Sequence, residues 1–230
     1  MTVGELLDQL ANELAGPTVP PARADARDLI AALLDRPRFW PSANRAHVLD
    51  EATEGEIRAA AARLTRGMPM QYAVGSAAFR HLTLRVDPRV LIPRPETEVL
   101  VDLALMASGG VGTIADVCTG SGCIALALAA EGSYDRVIAT DLSAEALEVA
   151  RANLAAIPPD RRPRVEFRLG DLLAPIAGER VRTLVSNPPY ISRAEASELP
   201  SAVRDWEPHL ALFSADDGMA AIREIGRAHV

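Results

Sequence analysis

The chain has 230 residues, 49% of them hydrophobic, and a net charge of -7, which is enough for a sizeable core in one large or two small domains. All 24 basic residues are arginine, which excludes Schiff-base catalysis and the phosphate-binding lysine of a P-loop, and the acidic balance argues against holding nucleic acid by phosphate contacts. No apolar run is long enough to span a bilayer, and residues 1–14 form an acidic amphipathic stretch without a signal-peptide layout, so no membrane partner and a cytoplasmic location are expected.

Residues 1 to about 67 read as helical. Leu6, Leu7, Leu10 and Leu14 form one apolar stripe and Leu29, Ile30, Leu33 and Leu34 a second. Pro20-Pro21 and the stretch Pro37 to Pro41 punctuate these helices. A further helix, Thr53 to Arg66, opens on a Thr-x-x-Glu capping box made by Thr53 and Glu56 and stops at Gly67. The expected unit is a small helical domain over 1–70.

The period then changes. Leu82, Leu84 and Val86 alternate with Thr83 and Arg85, which predicts one arm of a β-hairpin in a linker over 71–94. A helix from Glu96 to Met106 follows, and after it strands and helices alternate. Strands are expected at Thr113 to Val117, Arg136 to Thr140, Arg164 to Arg168 and Val181 to Val185, with helices at Cys123 to Ala130 and Ala144 to Ala155. Alternation of this kind specifies an α/β domain over 95–230, a parallel sheet covered by helices with ligands at the carboxyl ends of its strands. The chain ends in an expected helix, Gly218 to Val230.

Metal chemistry has no support in the sequence. Cys118 and Cys123 are spaced C-x4-C, which matches no common zinc pattern, and His47, His81, His209 and His229 stand singly. The arginines Arg161, Arg162, Arg164 and Arg168 read as a solvated loop and strand edge.

Three strand ends carry chemistry. The first is Asp116-Val117-Cys118-Thr119-Gly120-Ser121-Gly122, where glycines let the backbone approach a ligand and the next helix offers free N–H groups. Gly120 to Ala125 also fits the G-x-G-x-x-A dinucleotide fingerprint, so this loop alone is ambiguous. At the second strand end, Asp141 suits the hydroxyls of a ribose, with helix capping as the alternative. A third carboxylate, Asp171, beside Leu172, is placed to accept from an adenine amine.

The fourth strand end decides between cofactors. Asn187 offers a fixed carboxamide, Pro188 and Pro189 freeze the backbone so that carbonyls point outward, and Tyr190 adds an aromatic wall. This corner is an amide clamp without the acid or base that hydride transfer needs. It suits methyl transfer to nitrogen: acceptors at the Asn187 oxygen and the Pro188 carbonyl would hold two N–H groups and aim the lone pair at a donor methyl.

With these residues the chain resembles the protein N5-glutamine methyltransferases. The resemblance runs through Gly67 to Gly75 (G-M-P-M-Q-Y-A-V-G), Leu91 to Glu98 (L-I-P-R-P-E-T-E), the D-x-C-T-G-S-G loop, Asn187 to Tyr190, and Glu207-Pro208 with Ala211-Leu212. It implies a Rossmann-like class I S-adenosylmethionine-dependent methyltransferase sheet. It further implies that Cys118, Thr119, Gly120, Ser121, Gly122, Asp141, Asp171, Leu172 and Asn187 contact S-adenosylmethionine. Asn187, Pro188, Pro189 and Tyr190 would hold a glutamine from the Gly-Gly-Gln loop of class 1 peptide chain release factors, with Arg94 and Glu96 shaping the pocket and the helical domain helping to recognise the factor. An acid after Pro95 also suits a helix start.

Related proteins continue with a further strand and a final strand pair, so the chain is expected to be truncated and less stable than the complete enzyme, with its activity left open and the Asn187 strand at an unpaired edge. Two other functions remain open on sequence grounds. One is methylation of an exocyclic base amine in nucleic acid, and the other is a non-catalytic binding module on the same scaffold.

Overall fold

Leu6, Leu10, Leu29, Ile30 and Ile57 are completely buried, and they fold the first third of the chain around one helical core. The computed structural model describes residues 1–15, 23–159 and 164–227, so Pro20-Pro21, Arg161, Arg162 and the last three residues lie outside the described residues. The chain divides into two units, Met1–Gly75 and Ser76–Val230.

The first unit contains α1 (Val3–Glu13), α2 (Arg23–Leu33), α3 (Trp40–Ala43), α4 (Glu51–Leu64) and α5 (Met70–Val74). A capping box starts α1, with Thr2 and Glu5 each satisfying the other's backbone N–H. For α4 the expected Thr53 box is corrected: Asp50 is the cap, and its carboxylate accepts the Thr53 N–H at 2.8 Å and the Thr53 hydroxyl at 2.9 Å. Aspartate outranks threonine at this position, and its extended backbone places the cap three residues before Thr53, so that the helix begins at Glu51. Gly67 ends the turn in the left-handed region at φ 87°, where glycine carries no Cβ penalty.

The second unit opens on an antiparallel hairpin, β1 (Ser76–Phe79) and β2 (Leu82–Arg85). The span expected as a linker is therefore divided, with Gln71 to Val74 in α5 of the first unit and the hairpin in the second. Phe79 and Leu84 of the hairpin are buried in the same cluster as Val101, Ile114, Leu126 and Leu128. Its turn residue Arg80 is held by acids from two helices: the backbone N–H donates to Glu98 Oε1 at 2.9 Å, and the guanidinium grips Glu131 at 2.6 Å and Asp102 at 2.8 Å.

The remainder is α6 (Pro95–Ser108), β3 (Thr113–Val117), α7 (Cys123–Glu131), β4 (Arg136–Asp141), α8 (Ala144–Ala156), β5 (Val165–Leu169), β6 (Thr183–Ser186), α9 (Ser201–Arg204), α10 (His209–Leu212) and α11 (Ala220–Gly226). The four strands β3 to β6 form one parallel sheet in the order β5-β4-β3-β6. Ile114, Ala115, Val117, Ile138 and Ala139 are fully buried in its two central strands, as a sheet covered on both faces requires. Strand β6 starts at Thr183, two residues later than expected. It pairs with β3, which itself begins at Thr113, so Val181 has no strand residue to face. The last helix begins later than expected, at Ala220, with Gly218 left-handed at φ 87° before it.

The register brings the chemistry to one edge. Val117 lies level with Thr140 on one side and Ser186 on the other, so the glycine loop, Asp141 and Asn187 leave the sheet side by side. No helix among the described residues is long and apolar enough to cross a membrane.

Candidate active site

At that carboxyl edge lies a cavity of about 550 Å³, within the range of about 300–1,000 Å³ common for small-molecule sites. It is lined by Arg94, Cys118, Thr119, Gly120, Ser121, Asp141, Asp171, Leu172, Asn187 and Pro189 among others. Ten of the residues named from the sequence thus share one wall system, although Arg94 and Asn187 are far apart in the chain.

Four of the expected residues do not line the cavity. Gly122 caps α7 at φ 82° and lies against α8, where an added Cβ would meet the Ala150 Cβ at 3.2 Å, so its smallness serves helix packing. Pro188 yields the lining position to Pro189. Tyr190 is 60% exposed outside the lining. Glu96 is exposed in the first turn of α6, where its charge faces the positive helix end.

The glycine loop is tied down by carboxylates and an amide. Asp141 accepts the Gly120 N–H at 2.8 Å and the Ser143 N–H at 2.9 Å, so it serves the loop and the start of α8 at once. Burial pushes its carboxyl above the usual range, against those two hydrogen bonds. Asn153 of α8 accepts the Arg85 N–H at 2.7 Å and donates to Arg85 O at 3.1 Å and Ser121 O at 2.9 Å. One side chain therefore fastens the hairpin to the loop. Cys118 adopts φ 63°, a conformation glycine takes at less cost, and burial raises its thiol to about 12, which leaves it a neutral, unreactive group.

Asp116 is completely buried behind the loop. Its Oδ2 accepts the Thr119 hydroxyl at 2.6 Å and the Ala125 N–H at 3.1 Å, while Oδ1 has no hydrogen-bond partner among the described residues. Burial raises its carboxyl to about 7, the Asp141 charge adds to the rise, and the two hydrogen bonds oppose it. Ser121 Oγ is also buried without a partner among the described residues, and Ser121 lines the cavity. An orphaned hydroxyl there is the sort of group a polar ligand would satisfy.

The Asn187 corner is braced on three sides. Ser186 donates its hydroxyl to Val117 O at 2.6 Å, which pins the end of β6 to β3. Thr97 of α6 receives the Asn187 amide N–H at 3.4 Å. Beyond the corner, Ile191 N–H donates to Leu212 O at 3.0 Å and Ser214 N–H to Ile191 O at 2.9 Å. The chain from Leu212 to Gly218 thus straps the far side of the corner, although β6 is the outer strand of the sheet.

Gly218 completes that strap. A Cβ there would lie 2.1 Å from Tyr190 O, and its φ is positive. Gly218→Ala is expected to cost about 1–3 kcal/mol through strain and displacement of the Tyr190 carbonyl, read as a lower midpoint in denaturant unfolding. An unchanged midpoint would mean that the strap does not bear on the corner.

Residues 96–203 match the methyltransferase small domain, and residues 5–75 match the PrmC N-terminal domain. A release factor glutamine methyltransferase of Koribacter versatilis is 38% identical over 98% of this chain and 80% of its own length. The chain belongs to the release factor glutamine methyltransferase family. Another member of the family, from Streptomyces coelicolor, is 39% identical over 95% of this chain and 76% of its own. The solved hMettl16 catalytic domain, in complex with a MAT2A 3'UTR hairpin, shares the fold at a TM-score of 0.50 and 12% identity, over 77% of this chain and 62% of that one.

Within this family member, sequence reasoning missed several residues at the site. Asn153 has no signal in the sequence, Asp116, Thr97 and Glu207 stand there only as members of motifs, and Gly218 only as a helix start. Glu207 accepts from Arg94 at 2.6 Å and is almost wholly buried, with Oε2 unpartnered among the described residues. Burial raises its carboxyl, while Arg94 and the Ile92 backbone N–H pull it down. The pair fastens the L-I-P-R-P-E-T-E segment to the chain beyond the Asn187 corner. A buried glutamate next to a proline carries no periodic signal that would have marked it.

Proposed function

We propose that this chain transfers the methyl group of S-adenosylmethionine to the side-chain amide nitrogen of the glutamine in the Gly-Gly-Gln loop of class 1 peptide chain release factors. The observation that carries this reading is the juxtaposition of the Asn187 carboxamide with the glycine loop at one sheet edge. Family membership supports the reaction class, and the relatives named as release factor glutamine methyltransferases support the substrate.

The residues suit the cofactor. Gly120 and Ser121 leave backbone close to the cavity, Asp141 keeps lone pairs for ribose hydroxyls beyond the two N–H groups it already accepts, and Asp171 and Leu172 line the end suited to an adenine. When bound, S-adenosylmethionine supplies an electrophilic methyl on a sulfonium. Asn187 Oδ1 and a backbone carbonyl at Pro188 would accept the two amide N–H groups of the substrate. Those hydrogen bonds strengthen as the nitrogen gains positive character, so they favour the transition state over the ground state. Tyr190 offers its exposed ring to the planar amide, and Arg94, held by Glu207, shapes the cavity wall. One of the two amide protons then leaves the charged nitrogen for solvent, and the reaction needs no covalent enzyme intermediate.

The acidic net charge favours a protein substrate over nucleic acid, and a factor that acts in translation places the reaction in the cytoplasm. Incubation with S-adenosylmethionine and purified release factor is expected to add one methyl to the glutamine of the Gly-Gly-Gln peptide, seen by mass spectrometry. A methyl on another residue, or none, refutes the assignment.

A further inference from the structure

A carboxamide has nearly the same outline either way round, but one end accepts and the other donates. The end of Asn187 that faces the cavity therefore decides which side chain the corner can receive. With the oxygen inward it receives an N–H2 group; with the nitrogen inward it receives a carboxylate. In the structure Nδ2 points to Thr97 Oγ1 at 3.4 Å. Thr97 is buried in the first turn of α6, with its own N–H donating to Arg94 O at 3.0 Å. The N-cap residue of that turn, Arg94, is clamped by Glu207 at 2.6 Å. The base of Asn187 is fixed in turn by the Ser186 hydroxyl on Val117 O. Both ends of the contact are thus held by elements that have little freedom to shift. In this contact the Thr97 hydroxyl oxygen is the acceptor and the Asn187 amide nitrogen the donor.

We propose that Thr97 is a positioning residue that accepts the Asn187 amide nitrogen, turns Asn187 Oδ1 into the cavity, and so makes the corner select glutamine over glutamate. The inference rests on the reading of the site as a glutamine methyltransferase. Its chemical content is separate, because it concerns which ligand binds and not whether a methyl moves. Thr97→Val keeps the shape and removes the acceptor, whereas Thr97→Ser keeps the acceptor.

The test is calorimetry with S-adenosylhomocysteine present, using release factor with its Gly-Gly-Gln glutamine intact or replaced by glutamate. The wild-type chain is expected to prefer the glutamine form. In Thr97→Val that preference should fall about tenfold, the order of effect of leaving one buried donor without a partner, with a similar fall in kcat/KM. Thr97→Ser should restore both, and thermal melting of the two variants should match the wild type. A wild-type preference in Thr97→Val overturns the inference, as does a joint loss of Tm and activity in both variants with the preference intact. Failure of the wild-type chain to methylate the factor would instead refute the proposed function, and the binding preference would still report on Thr97.

Discussion

Asn187→Ala is expected to lower kcat for methyl transfer about 100- to 1,000-fold, the range seen when a single preorganised group that stabilises developing charge is removed. An amide nitrogen is a poor nucleophile because its lone pair is shared with the carbonyl, so the acceptors around its two hydrogens must do most of the orienting. Alanine removes one of them and leaves the backbone of the corner, held by Ser186 and by the Leu212 to Ser214 strap, in place. KM for the release factor should change less than kcat, since most contact with a folded protein substrate lies outside the amide itself. Steady-state methylation with labelled donor reads both constants. A variant with kcat within about threefold of wild type would show that the carboxamide is not the group that aligns the substrate.

Asp116→Asn is expected to stabilise the chain in alkaline solution. The carboxyl of Asp116 is raised from 3.8 to about 7, first by burial and then by the neighbouring Asp141 charge. A raised folded-state value means that the folded chain prefers the protonated form. The stability this contributes is fully present below about pH 4 and is lost as pH rises through about 7. At 1.36 kcal/mol per pH unit, the gap between the two values corresponds to about 4 kcal/mol above pH 7 as an upper bound. Asparagine mimics the neutral acid, keeps an acceptor for the Thr119 hydroxyl and the Ala125 N–H, and does not titrate. Urea unfolding of both proteins at pH 5, 7 and 8.5 should show a gap that opens with pH in favour of the variant. A gap independent of pH would mean that Asp116 is ionised in the folded chain throughout.

The central sheet was legible because buried parallel strands read as continuous apolar runs. Thr113 to Val117 agrees residue for residue, and Arg136 to Thr140 falls one short of β4. Errors came where local signals competed. Asp50 and Thr53 are both good caps, and only the chain path shows that the carboxylate takes the N–H groups of the first turn. At the far end, apolar residues after Gly218 suggest a helix from that glycine, but it stands left-handed at φ 87°, where an added Cβ would meet Tyr190 O, and the helix begins only at Ala220. Glu96 sat in a segment that shapes the cavity, yet helical geometry turns it to solvent while Thr97 and Arg94 face inward.

The amino-acid sequence by itself determined the alternation of strands and helices, the glycine loop, the acid at Asp141 and the amide corner at Asn187. Each of these is a local pattern, set by turn chemistry or by a period of two or 3.6 residues. Only the tertiary structure decided how the corner is held. Asn153 reaches Arg85 across 68 residues, Asn187 reaches Thr97 across 90, and Arg94 reaches Glu207 across 113. A hydrogen bond acts over about 3 Å of space, so partners this far apart in the chain leave no periodic trace in it and exist only once the sheet has brought its strand ends together.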